Sequence, residues 1–338
     1  MVQNATNGSF DSPECERKRY EFEIAGRNEG GRIDAYLAAR FPEYSRTFIQ
    51  ELIREGGITV NGRAVKPSYT PSRGDSVVAV IPTRPHEEIL AEDIPLDVIY
   101  EDQWLVVINK APDLVVHPAK GHQTGTLVNA LAYRFEKLSD AWGALRPGIV
   151  HRLDRDTTGV ILVIKDERIH EKVARQFERR RTVKEYLAVC EGRVELDSDL
   201  IDVQIGRDLR HREKMAVGGL AAREAQTVYQ VVERFARFTL VRCFPKTGRT
   251  HQIRVHLHHL GHPIVADGFY GRRRALYLSD LTGEEHVPDE QPLIDRQALH
   301  AHRLTIEHPA LGKKMTFEAP LPPDMTRLVE ALREYGRE

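Results

Sequence analysis

Residues 146–165 read RPGIVHRLDRDTTGVILVIK, and they organise the chain around them. A polar loop, HRLDRDTT, runs directly into the apolar segment VILVI, with Gly159 at the junction. A short apolar run that is rich in β-branched residues and bounded by turn residues predicts a fully buried strand. Rigid scaffolds often present functional groups on a loop at the end of such a strand. The sequence therefore predicts a functional loop at residues 151–158.

Two carboxylates of this loop, Asp154 and Asp156, are equal candidates for chemistry. Arg152 and Arg155 flank Asp154, and neighbouring positive charge favours the ionised form of a carboxylate. An ionised carboxylate suits a nucleophile or a general base. The alternative is a charged surface turn whose polar side chains bond to local backbone.

Downstream and upstream of the loop, short β-rich runs alternate with helical patterns from residue 99 to 335. The predicted strands are WLVVIN, LVVHP, VILVIK, EYLAVCEG, AQTVYQVVE, FTLVRCF, RLTIEH and KMTFEA, and the predicted helices cover 124–136, 167–180, 250–260 and 322–335. Regular helical crossovers do not separate these strands, so we expect an α+β fold with a mixed, largely antiparallel sheet.

The amino-terminal part forms a separate pattern. A strand YEFEI precedes an amphipathic helix that begins near Arg32 and a second one after Ser45, a plausible cap. Asn61-Gly62 then predicts a tight hairpin turn. We expect a flexible tail at 1–19, a small α/β domain at 20–83, a linker at 84–98 and a large domain at 99–338.

Charge and composition narrow the class of protein. A net charge of −1 excludes a uniformly basic nucleic-acid binder, but basic residues cluster at 175–184 and at Arg272–Arg274. No apolar run has the length of a membrane span and we expect no signal peptide, which indicates a cytoplasmic protein without membrane contact. The three cysteines lack metal or redox spacing, and we expect free thiols.

Residues 31–82 resemble the S-four-type RNA-binding domain, from GGRIDAYLAARF to RGDSV. The resemblance implies that its helices and following strand bind structured RNA. The residues that would contact phosphate are Arg32, Arg46, Arg54, Arg63 and Lys66. A protein-interaction module with solubilising arginines is the alternative.

The chain from 99 onwards resembles the RluA/RluD family of RNA pseudouridine synthases. HRLDRDTTG is similar to the signature loop of that family, and VVINKAPDLVVHPAKG, RRTVKEYLAVCEG, TGRTHQIRVHLHHLGHPIVADGFYG and LHAHRLTIEHPALGKKMTFEAPLPPDM resemble its other motifs in order. One motif departs, because the family has Lys-Pro-x-Gly where this chain has Lys110-Ala111-Pro112-Asp113. Any role that depends on the geometry of that turn is open.

The resemblance implies that Asp154, not Asp156, is catalytic. It implies that Tyr186 stacks on a flipped uracil and helps to remove its carbon-5 proton, and that Arg254 pairs with the catalytic carboxylate. Arg152 would fill the gap that the flipped nucleotide leaves. Isomerisation of uridine needs no cofactor, and the carboxylate could attack the anomeric carbon or abstract a ribose proton to give a glycal.

Five histidines between 251 and 262 raise a metal hypothesis, since His258 and His262 have the i, i+4 spacing of zinc ligands. The glutamate of an HExxH site is absent, and Gly261-His262-Pro263 should end the helix. We therefore expect no metal. The expected partner is structured RNA, most simply large-subunit ribosomal RNA, bound by a monomer. Transfer RNA as substrate, or a non-catalytic RNA-binding ribosome assembly factor, are the alternatives.

Overall fold

The structure is a computed structural model that describes residues 17–25, 31–41, 44, 46–82, 89–117, 124–135, 138–139, 147–211 and 213–336. Contacts divide the chain into two compact units, Met1–Glu88 and Ile89–Glu338. Among the described helices, none is long and apolar enough to cross a membrane.

The first unit packs two helices on a small antiparallel sheet. Its elements are β1 (Arg17–Glu23), α1 (Ile33–Arg40), α2 (Arg46–Arg54), β2 (Ile58–Val60), β3 (Arg63–Ala64) and β4 (Ser76–Pro82). The strand order is β1-β4-β2-β3. Leu37 of α1 and Ile49 of α2 are fully buried with strand residues such as Val77, so the apolar faces read from the sequence form this core.

The predicted hairpin is confirmed, since Asn61 and Gly62 both have positive φ, at 50° and 73°, between the paired strands β2 and β3. The first strand begins earlier than expected, because residues 17–19, at the end of the expected tail, pair with β4. The proposed helix cap, Ser45, lies outside the described residues.

The second unit contains the remaining elements. They are β5 (Asp97–Glu101), β6 (Leu105–Lys110), α3 (Leu127–Arg134), β7 (Thr158–Ile164), α4 (Glu167–Glu178), β8 (Val183–Glu191), β9 (Ser198–Asp202), β10 (Ile205–Arg207), β11 (Met215–Val217), β12 (Leu220–Arg223), β13 (Gln226–Arg234), β14 (Phe238–Pro245), α5 (Gln252–His259), α6 (Ser279–Thr282), β15 (Leu299–His308), β16 (Lys313–Glu318) and α7 (Pro323–Tyr335).

The large sheet of this unit confirms the predicted α+β, largely antiparallel class. Its order is β5-β6-β7-β15-β8-β14-β13-β9, with β16 also paired to β15. Among the described strands, only β7 and β15 run parallel, through Thr158 with His300 and Gly159 with Ala301. Strands β10, β11 and β12 form a separate small sheet.

Strand β7 lies in the middle of the unit, and every one of its residues is buried. Val160 and Leu162 pack with α4 residues such as Val173, whereas Ile161 and Val163 pack on the other face with Leu127 and other α3 residues. Successive side chains of a strand point to opposite faces, so one short segment contributes to both cores. The loop that precedes β7 is therefore attached to a rigid support.

One predicted strand is wrong. LVVHP does not form a strand, since within its described residues, 114–117, only Val115 makes an isolated bridge, to Thr126. The polar strands β9 to β12 and the short β5 at the end of the expected linker were not predicted. They lack the long apolar runs from which the other strands were predicted, and pairing with neighbouring strands defines them.

Gly159 provides a test of the support under the loop. Its φ is +109°, and a Cβ there would overlap the carbonyl of Ala301 on β15. Gly159→Ala should lower the free energy of unfolding by about 3 kcal/mol or more, because unfavourable backbone and overpacking add. Gly218→Ala is the matched control, since Gly218 also has a positive φ but has open space around it. It should cost only about 1–2 kcal/mol. Equal losses in urea unfolding would contradict the close approach.

Candidate active site

The loop before β7 is tied to the strand that follows it. The backbone N–H of Leu162 donates to His151 Nε2 at 2.9 Å, and Ile149 bridges to Val163. Within the loop, the Thr157 N–H donates to the Asp154 carbonyl at 3.1 Å. The loop thus folds back on the strand and turns sharply at Asp154.

Two buried basic side chains bind the carbonyls of this loop from outside it. Lys110 Nζ donates to the Arg155 carbonyl at 2.6 Å, and Arg296 Nη1 donates to the Asp156 carbonyl at 3.0 Å. Asp324 fixes the Arg296 guanidinium through bonds of 2.7 and 2.9 Å. The Arg296 guanidinium is charged, and hydrogen bonds from charged donors are stronger than neutral ones. The loop backbone is therefore clamped at two consecutive residues.

Lys110 also fixes the turn that departs from the family motif. Its Nζ donates to the carbonyls of Ala111 and Leu114, at 2.8 and 2.9 Å, and burial lowers the pKa of Lys110 to about 7. Asp113 has φ +55°, the left-handed conformation that glycine adopts easily and that aspartate tolerates. Lys110 therefore still binds three backbone carbonyls in this turn, although aspartate replaces the glycine of the family motif.

Arg254 lies on α5 and joins this helix to the loop before β7. From α5, its Nη1 donates to Asp154 Oδ2 at 3.0 Å, while Nε and Nη2 donate to the two oxygens of Asp267 at 2.7 and 2.8 Å. The side chains of Arg254 and Asp267 are 5% and 0% exposed, whereas that of Asp154 is 20% exposed. Asp154 is therefore the member of this trio that can meet a ligand.

Electrostatics favour the charged forms of Arg254 and Asp267. Burial opposes ionisation of Asp267, but the hydrogen bonds and charge of Arg254 outweigh it and lower the pKa of Asp267. The backbone N–H groups of Phe269 and Tyr270 also donate to Asp267, at 2.9 and 3.2 Å. The two carboxylates raise the pKa of Arg254 despite its burial. The guanidinium is thus fixed before any substrate arrives.

His251 adds a polar contact that sequence reasoning missed. Tyr270 Oη accepts from the Met215 N–H at 2.8 Å and forms a second hydrogen bond with His251 Nδ1 at 2.9 Å. Burial lowers the pKa of His251, so the ring is neutral at pH 7, and its second nitrogen, Nε2, faces the carboxylate of the loop. That nitrogen is 4.0 Å from Asp154 Oδ2. The sequence had offered His251 only as part of a metal cluster.

Tyr186 lines a cavity of about 450 Å³ together with Asp154 and Arg254. Lys184, two residues earlier on the same face of β8, lines it as well. Burial, reinforced by Asp154, raises the pKa of Tyr186, so the phenol keeps its proton at neutral pH. The exposed Arg152 borders this cavity, which the structure thus surrounds with four of the residues singled out by sequence.

Asp156 lies elsewhere. It contributes to a neighbouring cavity of about 620 Å³ and not to the first, and its carboxylate is 3.4 Å from Arg155 Nε. Arg155, expected to flank Asp154 electrostatically, pairs instead with Asp156 and, at 3.6 Å, with Asp113. Local sequence could not separate the two aspartates, because the group that distinguishes them is Arg254, 100 positions away.

The amino-terminal unit places its basic residues in two settings. Arg32 and Arg46 both donate to the fully buried carboxylate of Asp34, at 2.8 and 3.0 Å, with their side chains 46% and 51% exposed. The remaining three are exposed, namely Arg54, Arg63 and Lys66. The sequence analysis did not identify Asp34. An aspartate on the buried face of a helix is unusual, and this could have indicated its role.

The histidines of α5 diverge. His256 is fully buried, His258 is exposed beside the Tyr270 ring, and His262 Nδ1 bonds with the Glu191 carbonyl at 2.9 Å. Across the described ranges, no group of three or more histidine, cysteine or acidic side chains has the arrangement of a metal site. The pair at 258 and 262 is thus not the start of a wider ligand set there.

Comparisons with known proteins agree with this geometry. A family model for RNA pseudouridylate synthase matches residues 104–259, and one for the S4 domain matches 31–77. The chain is 43% identical over 305 residues to an uncharacterised RNA pseudouridine synthase, YlyB, of Bacillus subtilis, covering 90% of this chain and 95% of that protein. It is 41% identical to ribosomal large subunit pseudouridine synthase D of Pseudomonas aeruginosa, covering 93% and 94%.

Among solved structures, human RNA pseudouridylate synthase domain containing 1 is similar, with a TM-score of 0.52 and 26% identity. The match covers 73% of this chain and 98% of that one.

The loop should show a specific response to acid. Burial, with a contribution from Lys184, lowers the pKa of His151 to about 3, and its Nε2 must stay unprotonated to accept from Leu162. A folded pKa below the unfolded value of about 6.5 gives stability that is complete above pH 6.5 and is lost as pH falls towards 3. Relative to His151→Asn, which keeps an acceptor but does not titrate, the wild type should lose up to about 1.4 kcal/mol per pH unit in that window.

Urea unfolding at pH 7.5, 6.5, 5.5 and 5.0 measures this difference. His259→Asn, at an exposed histidine, is the control for general acid effects. A wild-type-minus-variant difference that does not change with pH would contradict the neutral, accepting His151.

Proposed function

This chain belongs to the RNA pseudouridine synthase family, and on that premise we propose that it isomerises specific uridines of large-subunit ribosomal RNA with Asp154 as the catalytic residue. The observation that carries the proposal is the 3.0 Å contact between Asp154 and Arg254 inside a cavity that Tyr186 also lines. The size of that cavity, about 450 Å³, is in the range of small-ligand pockets and suits one flipped nucleoside.

The reaction makes a limited demand on the protein. The glycosidic bond from the ribose anomeric carbon to N1 of uracil breaks, the base turns, and a bond from the same carbon to carbon 5 forms. Carbon 5 loses a proton and N1 gains one, so the product is an isomer and the sum involves no oxidation. A charged carboxylate starts either route, by attack on the anomeric carbon or by removal of the neighbouring ribose proton.

Arg254 supplies the orientation for that carboxylate. Its Nη1 engages Oδ2 of Asp154, and this contact holds the carboxylate in one position at the cavity wall. Asp267 occupies the other side of the guanidinium, so Arg254 cannot swing away when a ribose enters. His251 Nε2 lies 4.0 Å from the same oxygen and is proposed to add a weaker polar contact there. Placement of this kind reduces the entropy cost of reaching the transition state.

Tyr186 is proposed to stack on the uracil and to relay the carbon-5 proton. Because burial raises its pKa, the phenol is not an anion at neutral pH and cannot act as a simple base. It can accept a proton only while it passes its own to an acceptor, and Asp154 borders the same cavity. The exposed Arg152, at the rim, is proposed to fill the space that the flipped nucleotide leaves.

The amino-terminal unit is proposed to bind structured RNA through phosphate. Arg54, Arg63 and Lys66 are exposed, which supports this role. Arg32 and Arg46 are proposed to bind phosphate with the N–H groups that do not bond to Asp34. Both side chains remain half-exposed while Asp34 orients them. The division of contacts at residue 88 supports a small amino-terminal domain and a separate catalytic domain. Because β1 begins at Arg17 and β5 at Asp97, the expected bounds of 20–83 for the small domain and 99–338 for the catalytic domain move outward, and the expected tail at 1–19 and linker at 84–98 become shorter.

The ribosomal substrate is supported by the names of the relatives, one of which is a large-subunit ribosomal enzyme of Pseudomonas aeruginosa. We propose that the protein acts in the cytoplasm, where such an RNA is found, and as a monomer without a cofactor. Tyr186, Asp154 and Arg254 of one chain border the same cavity, which supports the monomer.

The choice between the two aspartates can be tested by isosteric change. Asp154→Asn keeps the shape but removes the charge, and the rate of tritium release from RNA labelled at uridine carbon 5 should fall by roughly 10²–10⁴-fold or more. RNA affinity should stay nearly unchanged. Asp156→Asn, two residues away on the same loop, is the matched control and should keep most of the activity. The reverse pattern would make Asp156 the catalytic residue.

The substrate can be tested by mapping the product. Total RNA from cells that lack this protein, incubated with purified wild type or with Asp154→Asn, is labelled with carbodiimide, which marks pseudouridine although its mass equals that of uridine. Reverse transcription of the labelled RNA should then show new stops in large-subunit ribosomal RNA with the wild-type protein alone. Stops confined to transfer RNA would reassign the substrate, and none in any RNA would leave a non-catalytic RNA-binding protein.

A further inference from the structure

A second cavity adjoins the catalytic one, and the chemistry proposed above does not use it. Its volume is about 620 Å³, and it shares Arg152, Leu153, Asp154, His251 and Arg254 with the first cavity. Tyr186 lines only the first cavity, where the target base is proposed to lie. An RNA strand that delivers one nucleoside to the first cavity must continue beyond it, and the second cavity begins at the same residues.

The second cavity presents an aromatic surface. Phe269 lines it with 39% of its residue surface exposed, which is high for a phenylalanine. Its backbone N–H donates to Asp267 at 2.9 Å and its carbonyl accepts from Lys214 Nζ at 2.6 Å, so the ring stands on a fixed backbone. Every nucleobase has a π-face, and stacking on a fixed ring is a common way to bind one.

Five arginines line the same cavity, and only some of them are paired with carboxylates. Arg155, Arg254 and Arg296 all line it, but each is paired with an aspartate. Arg152 and Arg274 line it as well, both are exposed, and within the described part of the chain neither makes an ion pair. Arg274 is the last of the three consecutive arginines that the sequence analysis noted. An exposed arginine without a carboxylate partner is suited to a phosphate.

The cavity also contains acidic groups, so it is not a simple anion site. Glu213 and Asp295 line it and are exposed. Carboxylates accept hydrogen bonds from the exocyclic amino groups of bases, as they do from cytosine N4 in nucleic-acid complexes. A mixture of an aromatic face, an unpaired arginine and two acceptors fits a whole nucleotide better than it fits a lone phosphate.

We propose that this cavity binds the nucleotide next to the target uridine, with its base stacked on Phe269 and its phosphate on Arg274. The inference rests on the proposed function, because it takes the target uridine to occupy the first cavity. Phe269 is then a residue that selects the site through the neighbouring base, and Asp267 links its backbone to the ion pair that orients Asp154.

The test pairs changes in the protein with changes in the RNA. Phe269→Ala and Phe269→Tyr are compared with wild type for equilibrium binding to a short RNA that contains a mapped target. The RNA is prepared intact and with an abasic residue on either side of the target. Tyr133→Ala, at an exposed aromatic residue that lines neither cavity, is the control. Phe269→Ala should bind the intact RNA roughly 5- to 150-fold more weakly, the range for loss of one stacked base.

Combining Phe269→Ala with the abasic RNAs shows whether Phe269 contacts the flanking base. With the abasic residue at one of the two flanking positions, wild type should weaken to the level of Phe269→Ala, and the substitution should then have no further effect. Phe269→Tyr, which keeps the ring, should behave as wild type. Arg274→Gln should weaken binding of every RNA and reduce the slope of log affinity against log salt by about 0.7.

Two results would overturn the inference. One is equal binding of wild type and Phe269→Ala to intact RNA, and the other is a loss that persists unchanged on both abasic RNAs, as a purely structural effect on Arg254 would give. Wild-type turnover of the intact RNA is measured in parallel. Its absence would count against the proposed function, whereas turnover without coupling at Phe269 would count against this cavity alone.

Discussion

The guanidinium of Arg254, fixed between Asp154 and Asp267, is the interaction on which the rest of the site depends. It joins α5, the loop before β7 and the turn after residue 266 through bonds of 2.7 to 3.0 Å. Asp267 is completely buried, so without Arg254 its charge would lie unpaired in the interior at a cost of several kcal/mol. The same carboxylate accepts the backbone N–H groups of Phe269 and Tyr270, so any change in its position would also move the turn that carries them.

The catalytic loop receives its shape from outside itself. Lys110 and Arg296 come from segments far away in sequence, yet they bind the carbonyls of two consecutive loop residues. His251, with φ +56°, begins α5 in a left-handed conformation that costs a non-glycine residue about 1–2 kcal/mol. Strain of this size persists only where surrounding bonds over-determine it, and here the bond of His251 to Tyr270 is one of them.

What the sequence could predict follows from how local each signal is. The buried strand β7, the hairpin at Asn61 and the sheet class rest on short-range patterns, and these were confirmed. Family resemblance named Asp154, Tyr186 and Arg254, and the structure brings them to one cavity. The prediction of a strand at LVVHP was wrong because an apolar run predicts burial but not strand pairing. Val116 is buried, whereas within the described residues 114–117 only Val115 makes an isolated bridge. The bonds that Asp267, Lys110 and Arg296 make to the site were missed because they join segments 13, 45 and 140 positions apart, and no periodicity reports a single bond of that kind.

The arrangement is better explained by orientation than by stability. Removing two opposite charges from water costs about as much as their attraction returns, so the Arg254–Asp267 pair adds little to the free energy of unfolding. An apolar pair of similar volume would pack as well there, but it would leave Asp154 free to rotate and to be solvated in many directions. The pair therefore serves the one carboxylate that stays partly exposed. A site that needs a charged, aligned carboxylate at the mouth of a cavity requires a cation that cannot move, and a second, buried carboxylate is the group that immobilises it.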